Sequence, residues 1–289
     1  MFTLAVVTGL GLGAMYGLIA LGFYMTYAVS NTVNFSQGTS VMLGAVLAFV
    51  FSQQLHWAIA PSVVAALALC ALWGVAVEFF AVRPFVRAGS DAWLMSTVAA
   101  GIVIENVVLF SFGSEPRSFP SPFSGPHAQI GGVEIYPLQA AVPIAGLAIA
   151  CGLSLFMQRT RLGKALSAIV QNPTAASLMG INVAVAITVC YAASAVFAGI
   201  AGILIAPLFT VSADMGTLFG IKAFAVAILG GISSAWGVVA AGFLYGITEA
   251  LVTSFLGSGY TNILTFALVI VALAARPHGL FGRAAVKKV

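Results

Sequence analysis

"TVNFSQGTSVMLGA", residues 32–45, breaks an otherwise greasy chain. Long apolar runs precede and follow it, yet Asn34, Ser36, Gln37, Thr39 and Ser40 crowd around Gly38. In a soluble protein this would be an ordinary loop. Its meaning depends on whether the flanking runs lie in water or in lipid.

Composition decides that. The chain has 289 residues, 61% hydrophobic and only 6% charged, with a mean hydropathy of +1.11. Soluble domains carry roughly 25% charged residues, so this chain could not cover a water-facing surface. It reads as an all-α polytopic membrane protein built from spans of about 20 apolar residues. The first run, residues 2–27, is too long for the apolar core of a signal peptide and follows no basic residue, so it is expected to remain as a span. Cys70, Cys151 and Cys190 each sit inside an apolar segment and read as small buried hydrophobes.

Nine segments follow, at 3–29, 36–55, 60–82, 92–113, 138–158, 185–206, 219–236, 237–257 and 260–275, with eight to ten as the bracket. The cations fall between them in three clusters: Arg83 and Arg87; Arg159, Arg161 and Lys164; Arg276, Arg283, Lys287 and Lys288. The net charge of +4 therefore reflects topology rather than nucleic-acid binding. Placing all three clusters in the cytoplasm leaves two spans between the first pair and four between the second. Both numbers are even, as they must be. The N-terminus is then outside and the C-terminus cytoplasmic.

On this reading residues 1–289 form one transmembrane domain, with an outer loop at 113–137 and a cytoplasmic loop at 159–183. The outer loop carries five prolines, and "QIGGVEIY" within it could form a hairpin. A faint internal echo links "VNFSQG" (33–38) to "VSADMG" (211–216), which precede the second and seventh segments. Segments one to four run opposite in direction to six to nine, as in an inverted repeat.

The opening stretch then has a physical reading. Polar groups and irregular backbone at membrane depth are tolerated where they face protein or a water-filled cavity. Ser36, Gln37 and Thr39 would occupy the first turn of the second helix, either capping its free N–H groups or offering them to a solute. Asp214, Gly216, Gly220 and Lys222 stand at a second break, where Lys222 is expected to snorkel to the outer interface. Gly9, Gly13, Gly17, Gly242 and Gly246 read as helix-packing positions. Of the intramembrane acids, Glu78 lies close to Arg83, Glu249 could pair or be protonated, and Glu105 with Asn106 falls near a span centre. The candidate solute pathway comprises Asn34, Ser36, Gln37, Thr39, Glu105, Asn106 and Ser233, the last from the glycine- and serine-rich "LGGISSAWG".

Catalytic signals are missing. "LGK" at 162–164 lacks the first glycine of a phosphate-binding loop, which Gln158 replaces. No zinc-protease or serine-hydrolase motif occurs, and His56, His127 and His278 are far apart. The cytoplasmic stretch "TRLGKALSAIVQNPTAASLMGIN" (160–182) instead offers two short amphipathic pieces split at Asn172-Pro173. That is a surface another protein can grip.

Taken in order, "VNFSQGTSVMLGA", "RPFVRAG", "RLGKALSAIVQNPTAASLMGIN", "KAFAVAILGGISSAWGVVAAG" and "RPHGLFG" resemble the permeases of branched-chain amino acid ABC importers along essentially the whole chain. The resemblance implies a subunit of the bacterial inner membrane that pairs with a second, related permease. It also implies two cytoplasmic ATPases, which hold the ATP and Mg while this chain binds no cofactor, and a periplasmic solute-binding protein. Residues 163–181 would contain the coupling helix, with Gly163, Thr174, Ala175, Ala176, Leu178, Met179 and Gly180 at the ATPase contact. Two positions depart from the family habit: Thr39 stands where an acidic residue often follows the glycine, and Gln37 stands where His is frequent. Relatives of this family serve urea, short amides and aromatic acids besides leucine-type amino acids. The rival reading is an ion-coupled secondary transporter with broken helices, for which Glu105 or Glu249 would carry the proton.

Overall fold

The computed structural model describes residues 2–120, 128–130, 133–135 and 137–282. The middle of the loop at 113–137, with His127, and the C-terminal cations Arg283, Lys287 and Lys288 lie outside the described residues.

Helices account for almost all of it. In chain order they are α1 (Phe2–Ser30), α2 (Gln37–Phe49), α3 (Ile59–Ala76), α4 (Arg83–Arg87), α5 (Trp93–Phe112), α6 (Pro137–Arg159), α7 (Arg161–Gln171), α8 (Pro173–Leu178), α9 (Val183–Ile205), α10 (Met215–Gly230), α11 (Ala235–Leu256) and α12 (Ser258–Ala275). Short π-helical segments extend α2 over Val50–Gln54 and join α3 to α4 over Val77–Val82. The second widening immediately precedes Pro84, which has no N–H to donate to the turn before it.

Four brief strands complete the described residues. β1 (Arg117–Ser118) pairs antiparallel with β4 (Thr210–Val211), tying the exit of α5 to the α9–α10 connection. β2 (Ala128–Ile130) and β3 (Val133–Ile135) form the hairpin expected from "QIGGVEIY".

Among the described residues, seven helices are long and apolar enough to cross a membrane: α1, the continuous α3–α4 rod, α5, α6, α9, α11 and α12. The chain is a multi-pass membrane protein. The expectation of nine comparable segments is corrected at two places. The segment drawn at 36–55 is helical over Gln37–Gln54, α2 with its π extension, but it opens on Gln37, Gly38, Thr39 and Ser40 and ends on Gln53 and Gln54, so it is less apolar than the seven. That drawn at 219–236 is the 16-residue α10, which stops at Gly230. A hydropathy window merges so short a helix with its flanks. Glycine signals separate them: Gly231 takes φ +83°, a left-handed conformation that costs glycine little.

These two short helices are the centre of the molecule. α2 is buried along nearly its whole length, between α9, α10 and α3. α1 packs against α11, where a Cβ on Gly9 or Gly13 would come within 2.6–2.7 Å of backbone on α11. Gly242 and Gly246 are equally confined on the facing helix. Small residues let the two backbones touch, as expected from their spacing. The closing "RPHGLFG" segment folds onto the α10–α11 turn, with Leu280 N donating to the Leu229 carbonyl at 2.7 Å. Of the cysteines, Cys70 and Cys190 are buried as expected, whereas Cys151 is exposed on α6.

Candidate functional site

The site begins where α1 stops. Asn31 adopts φ +57°, a conformation that asparagine tolerates better than most residues and that a right-handed helix cannot continue through. The chain then folds back beside the helix it has just left. The Thr32 and Tyr191 hydroxyls meet at 2.7 Å and pin this reversal to α9. Asn34 Oδ1 accepts from the backbone N–H of Ser36 at 3.0 Å and from its hydroxyl at 2.7 Å. Ser36 holds the N-cap position of α2, yet its side chain makes no cap bond; its hydroxyl is given to Asn34 instead.

Gln37 is clamped. Its amide donates to the Ser194 carbonyl at 3.0 Å, and the Ser194 hydroxyl donates back to Gln37 Oε1 at 2.9 Å. Both residues are fully buried between α1, α2 and α9. A buried amide needs such partners, because an unmet group costs about 1–3 kcal/mol. So Ser36 and Gln37, and Asn34 through its Oδ1, three of the residues expected along the pathway, spend polarity on the protein itself, while Asn34 Nδ2 is buried with no partner among the described residues.

Thr39 is different. α2 and α10 begin against one another, with Gly38 seated on the backbone of Gly216 and Gly220. Beside this junction lies a cavity of about 400 Å³ between α1, α2, α5 and α10. Phe23, Phe35, Val98, Ile102, Ile221 and Phe224 give it apolar walls, and Thr39, Thr217 and Glu105 give it polar ones. Thr217 donates to Glu105 Oε2 at 3.1 Å, joining α10 to α5. The Thr39 hydroxyl has no hydrogen-bond partner among the described residues and faces Gly101, where a Cβ would come within 3.0 Å of it.

A second polar cluster lies across α10. Lys222 and Glu249 form an ion pair at 2.5 Å, 5% and 7% exposed, on the wall of a cavity of about 550 Å³. Lys222 therefore does not snorkel to an interface. A partner one helix away outweighs the reach to water. Glu78, as its spacing suggested, pairs with Arg83 at 2.7 Å, and Thr188 hydrogen-bonds to both.

The profile of the family described as "Branched-chain amino acid transport system / permease component" matches residues 5–273. The chain belongs to this family. It is 31% identical over 294 residues to the high-affinity branched-chain amino acid transport system permease protein LivH of Escherichia coli K12, covering 97% of this chain and 96% of that protein. BraD of Pseudomonas aeruginosa, a permease protein of the same description, is 31% identical over 296 residues, covering 98% and 96%. The galactose/methyl galactoside import permease protein MglC of Salmonella typhimurium is 28% identical over 267 residues, covering 85% and 75%. No solved structure matches the chain.

In this permease the α6–α9 connection forms the expected helix–break–helix. Thr160 caps α7 by accepting from Gly163 N at 2.9 Å, and Asn172 caps α8 by accepting from Ala175 N at 3.0 Å. Each cap satisfies one N–H that a helix start leaves free. α7 turns Gly163, Leu166 and Ile169 inward. On α8 only Ala176 is buried; Thr174, Ala175 and Gly180 are exposed, and Leu178 and Met179 stand 84% and 82% exposed. Two large apolar side chains held out this way leave a face with no partner among the described residues.

Of the expected pathway residues, the permease brings Thr39 and Glu105 to one cavity. Asn106 is exposed on α5 and donates back to the Ile102 carbonyl at 2.8 Å. Ser233 sits in the exposed α10–α11 turn, at the far end of α10 from that cavity. Thr217 was missed, though one further residue of the internal echo marks it: Thr217 follows Gly216 as Thr39 follows Gly38. Phe35 lies within the opening stretch, but nothing in the sequence singles out Ser194, Phe23 or Phe224.

Proposed function

We propose that this permease subunit belongs to an ATP-driven importer and passes a leucine-type amino acid or a related small solute through the region where α2 and α10 begin. One observation carries the reading. Two helices, the polar-ended α2 and the 16-residue α10, start head to head inside the bundle, beside a cavity bearing two hydroxyls and a carboxylate. Irregular backbone at that depth is stable only when buried in protein or lining water. The printed descriptions of LivH and BraD supply the solute class.

Packing supports an inverted repeat, with α1, α2, α3 and α5 in one half and α9, α10, α11 and α12 in the other. α1 lies on α11 as α9 lies on α3, and α2 lies on α9 as α10 lies on α1. Orientation follows from the cations. Arg83 reaches Thr188 near the start of α9, so the α3–α4 rod ends on the face where the α7–α8 loop returns to the bundle. One face thus gathers Arg83, Arg159, Arg161 and Lys164, which supports reading it as the cytoplasmic face of the inner membrane. Two ATPases would dock there at α7–α8, a second related permease would complete the pathway, and a solute-binding protein would deliver from outside.

The test is reconstitution of the permease with the products of its neighbouring genes in liposomes. Uptake of leucine should require enclosed ATP and the binding protein, and should survive collapse of the proton gradient. Uptake driven by the gradient without ATP would give the function to a secondary transporter.

A further inference from the structure

Glu105 is the only ionisable residue on the lining of the 400 Å³ cavity among the described residues. Thr217 gives one of its oxygens a neutral hydrogen bond; the other has no partner among the described residues. The cavity opens at the surface of the subunit, where Ile102 and Ile221 are more than half exposed, and Glu105 is partly buried in it; in a membrane-spanning bundle such a carboxylate is still short of one cation. The protein does not supply it, because Lys222, which follows the lining residue Ile221, is already paired with Glu249 on the other side of α10. We infer that the cavity receives a solute carrying a primary ammonium group, and that Glu105 selects for it within the permease itself.

The rest of the lining fits the same solute. Phe23, Phe35 and Phe224, with neighbouring ring centroids 5.1–5.4 Å apart, present faces to an apolar side chain and attract a nearby cation. Thr39 is 8% exposed, and its free hydroxyl lies in the first turn of α2, where backbone N–H groups lack intrahelical partners. Together they can receive the solute's carboxylate. The volume falls within the range of about 300–1,000 Å³ typical of small-molecule sites. Urea and simple amides offer no ammonium to Glu105, and aromatic acids bring a like charge to it. An α-amino acid with an apolar side chain satisfies every wall.

This inference rests on the pathway reading above, and the experiment separates the two. In the reconstituted complex, Glu105→Gln should lower leucine uptake about tenfold or more, the worth of a hydrogen bond to a charged group. ATPase stimulation by the loaded binding protein should persist, and Glu105→Asp should recover part of the uptake. In parallel, leucine but not 4-methylpentanoate should slow thiol labelling of Thr39→Cys, and Glu105→Gln should remove that protection. Wild-type uptake by Glu105→Gln, or equal protection by the two ligands, would overturn the inference. Protection by leucine with no ATP-dependent uptake would sustain it and remove the importer reading instead.

Discussion

Gly38 and Gly216 fit into each other's backbones. A Cβ on Gly216 would lie 2.8 Å from the Gly38 carbonyl carbon, and one on Gly38 would lie 3.0 Å from that of Gly216. The contact is reciprocal and lets two helix starts share one point in the bundle. Alanine at either position should drive α2 and α10 apart, at the cost of about 1–3 kcal/mol usual for overpacking. Gly152→Ala and Gly259→Ala, where nothing among the described residues lies within 4 Å, serve as controls. Thermal unfolding in detergent should show both junction variants melting below both controls. Equal melting would mean that the junction yields freely.

The Lys222–Glu249 pair makes a different prediction. Removing one partner of a buried pair strands the other charge and typically costs about 3–5 kcal/mol, whereas replacing both costs far less. Lys222→Met and Glu249→Gln should each lower folded yield sharply. The double variant should recover much of it, so the two effects should not add. Additive losses would show that the pair is not the unit holding α10 to α11.

Much of this was legible in the sequence, for physical reasons. Lipid demands long apolar helices, so apolar runs mark all seven of them, along with the two further runs that form α2 and α10, and positive clusters suggest a sidedness. The break at 31–36 is equally visible, because Asn31 and a run of short polar residues cannot continue a helix in lipid. What those polar groups do was hidden. Gln37 is satisfied by Ser194, 157 positions away, and Lys222 by Glu249, on the next helix. A polar residue read alone looks either exposed or functional. Only packing reveals that a distant partner has absorbed it, and by the same token leaves Thr39 and Glu105 as the groups still facing open space.

Sidedness can be tested on the described residues. With exposed Cys151 replaced by alanine, Ser258→Cys at the α11–α12 turn should react with an impermeant thiol reagent on intact cells. Ser233→Cys and Ser177→Cys, both exposed, should react only after the cells are opened. The reverse pattern would invert the topology.

Coupling should centre on Leu178 and Met179 rather than on the alanines before them. Both side chains project from α8. Leu178→Asp or Met179→Asp should leave the permease in the membrane while abolishing ATPase stimulation by the loaded binding protein. Ala176→Glu, at a buried position, should instead reduce the amount of folded permease. Full stimulation in both aspartate variants would move the docking site elsewhere.

Gln37 and Thr39 are two residues apart and should separate stability from transport. Gln37→Leu breaks both hydrogen bonds of the clamp and leaves the Ser194 carbonyl and hydroxyl to find other partners. The expected cost is about 1–3 kcal/mol for the stranded groups, seen as lower melting and lower yield. Uptake per folded complex should change little, because Gln37 does not reach the cavity. Thr39→Val keeps the shape of the side chain and deletes a hydroxyl that nothing among the described residues uses. It should leave melting near the wild type and lower uptake per folded complex. If Gln37→Leu slowed transport at unchanged stability while Thr39→Val did nothing, the solute would pass on the α9 side of α2. The cavity at Glu105 would then be a void between helices rather than part of the path.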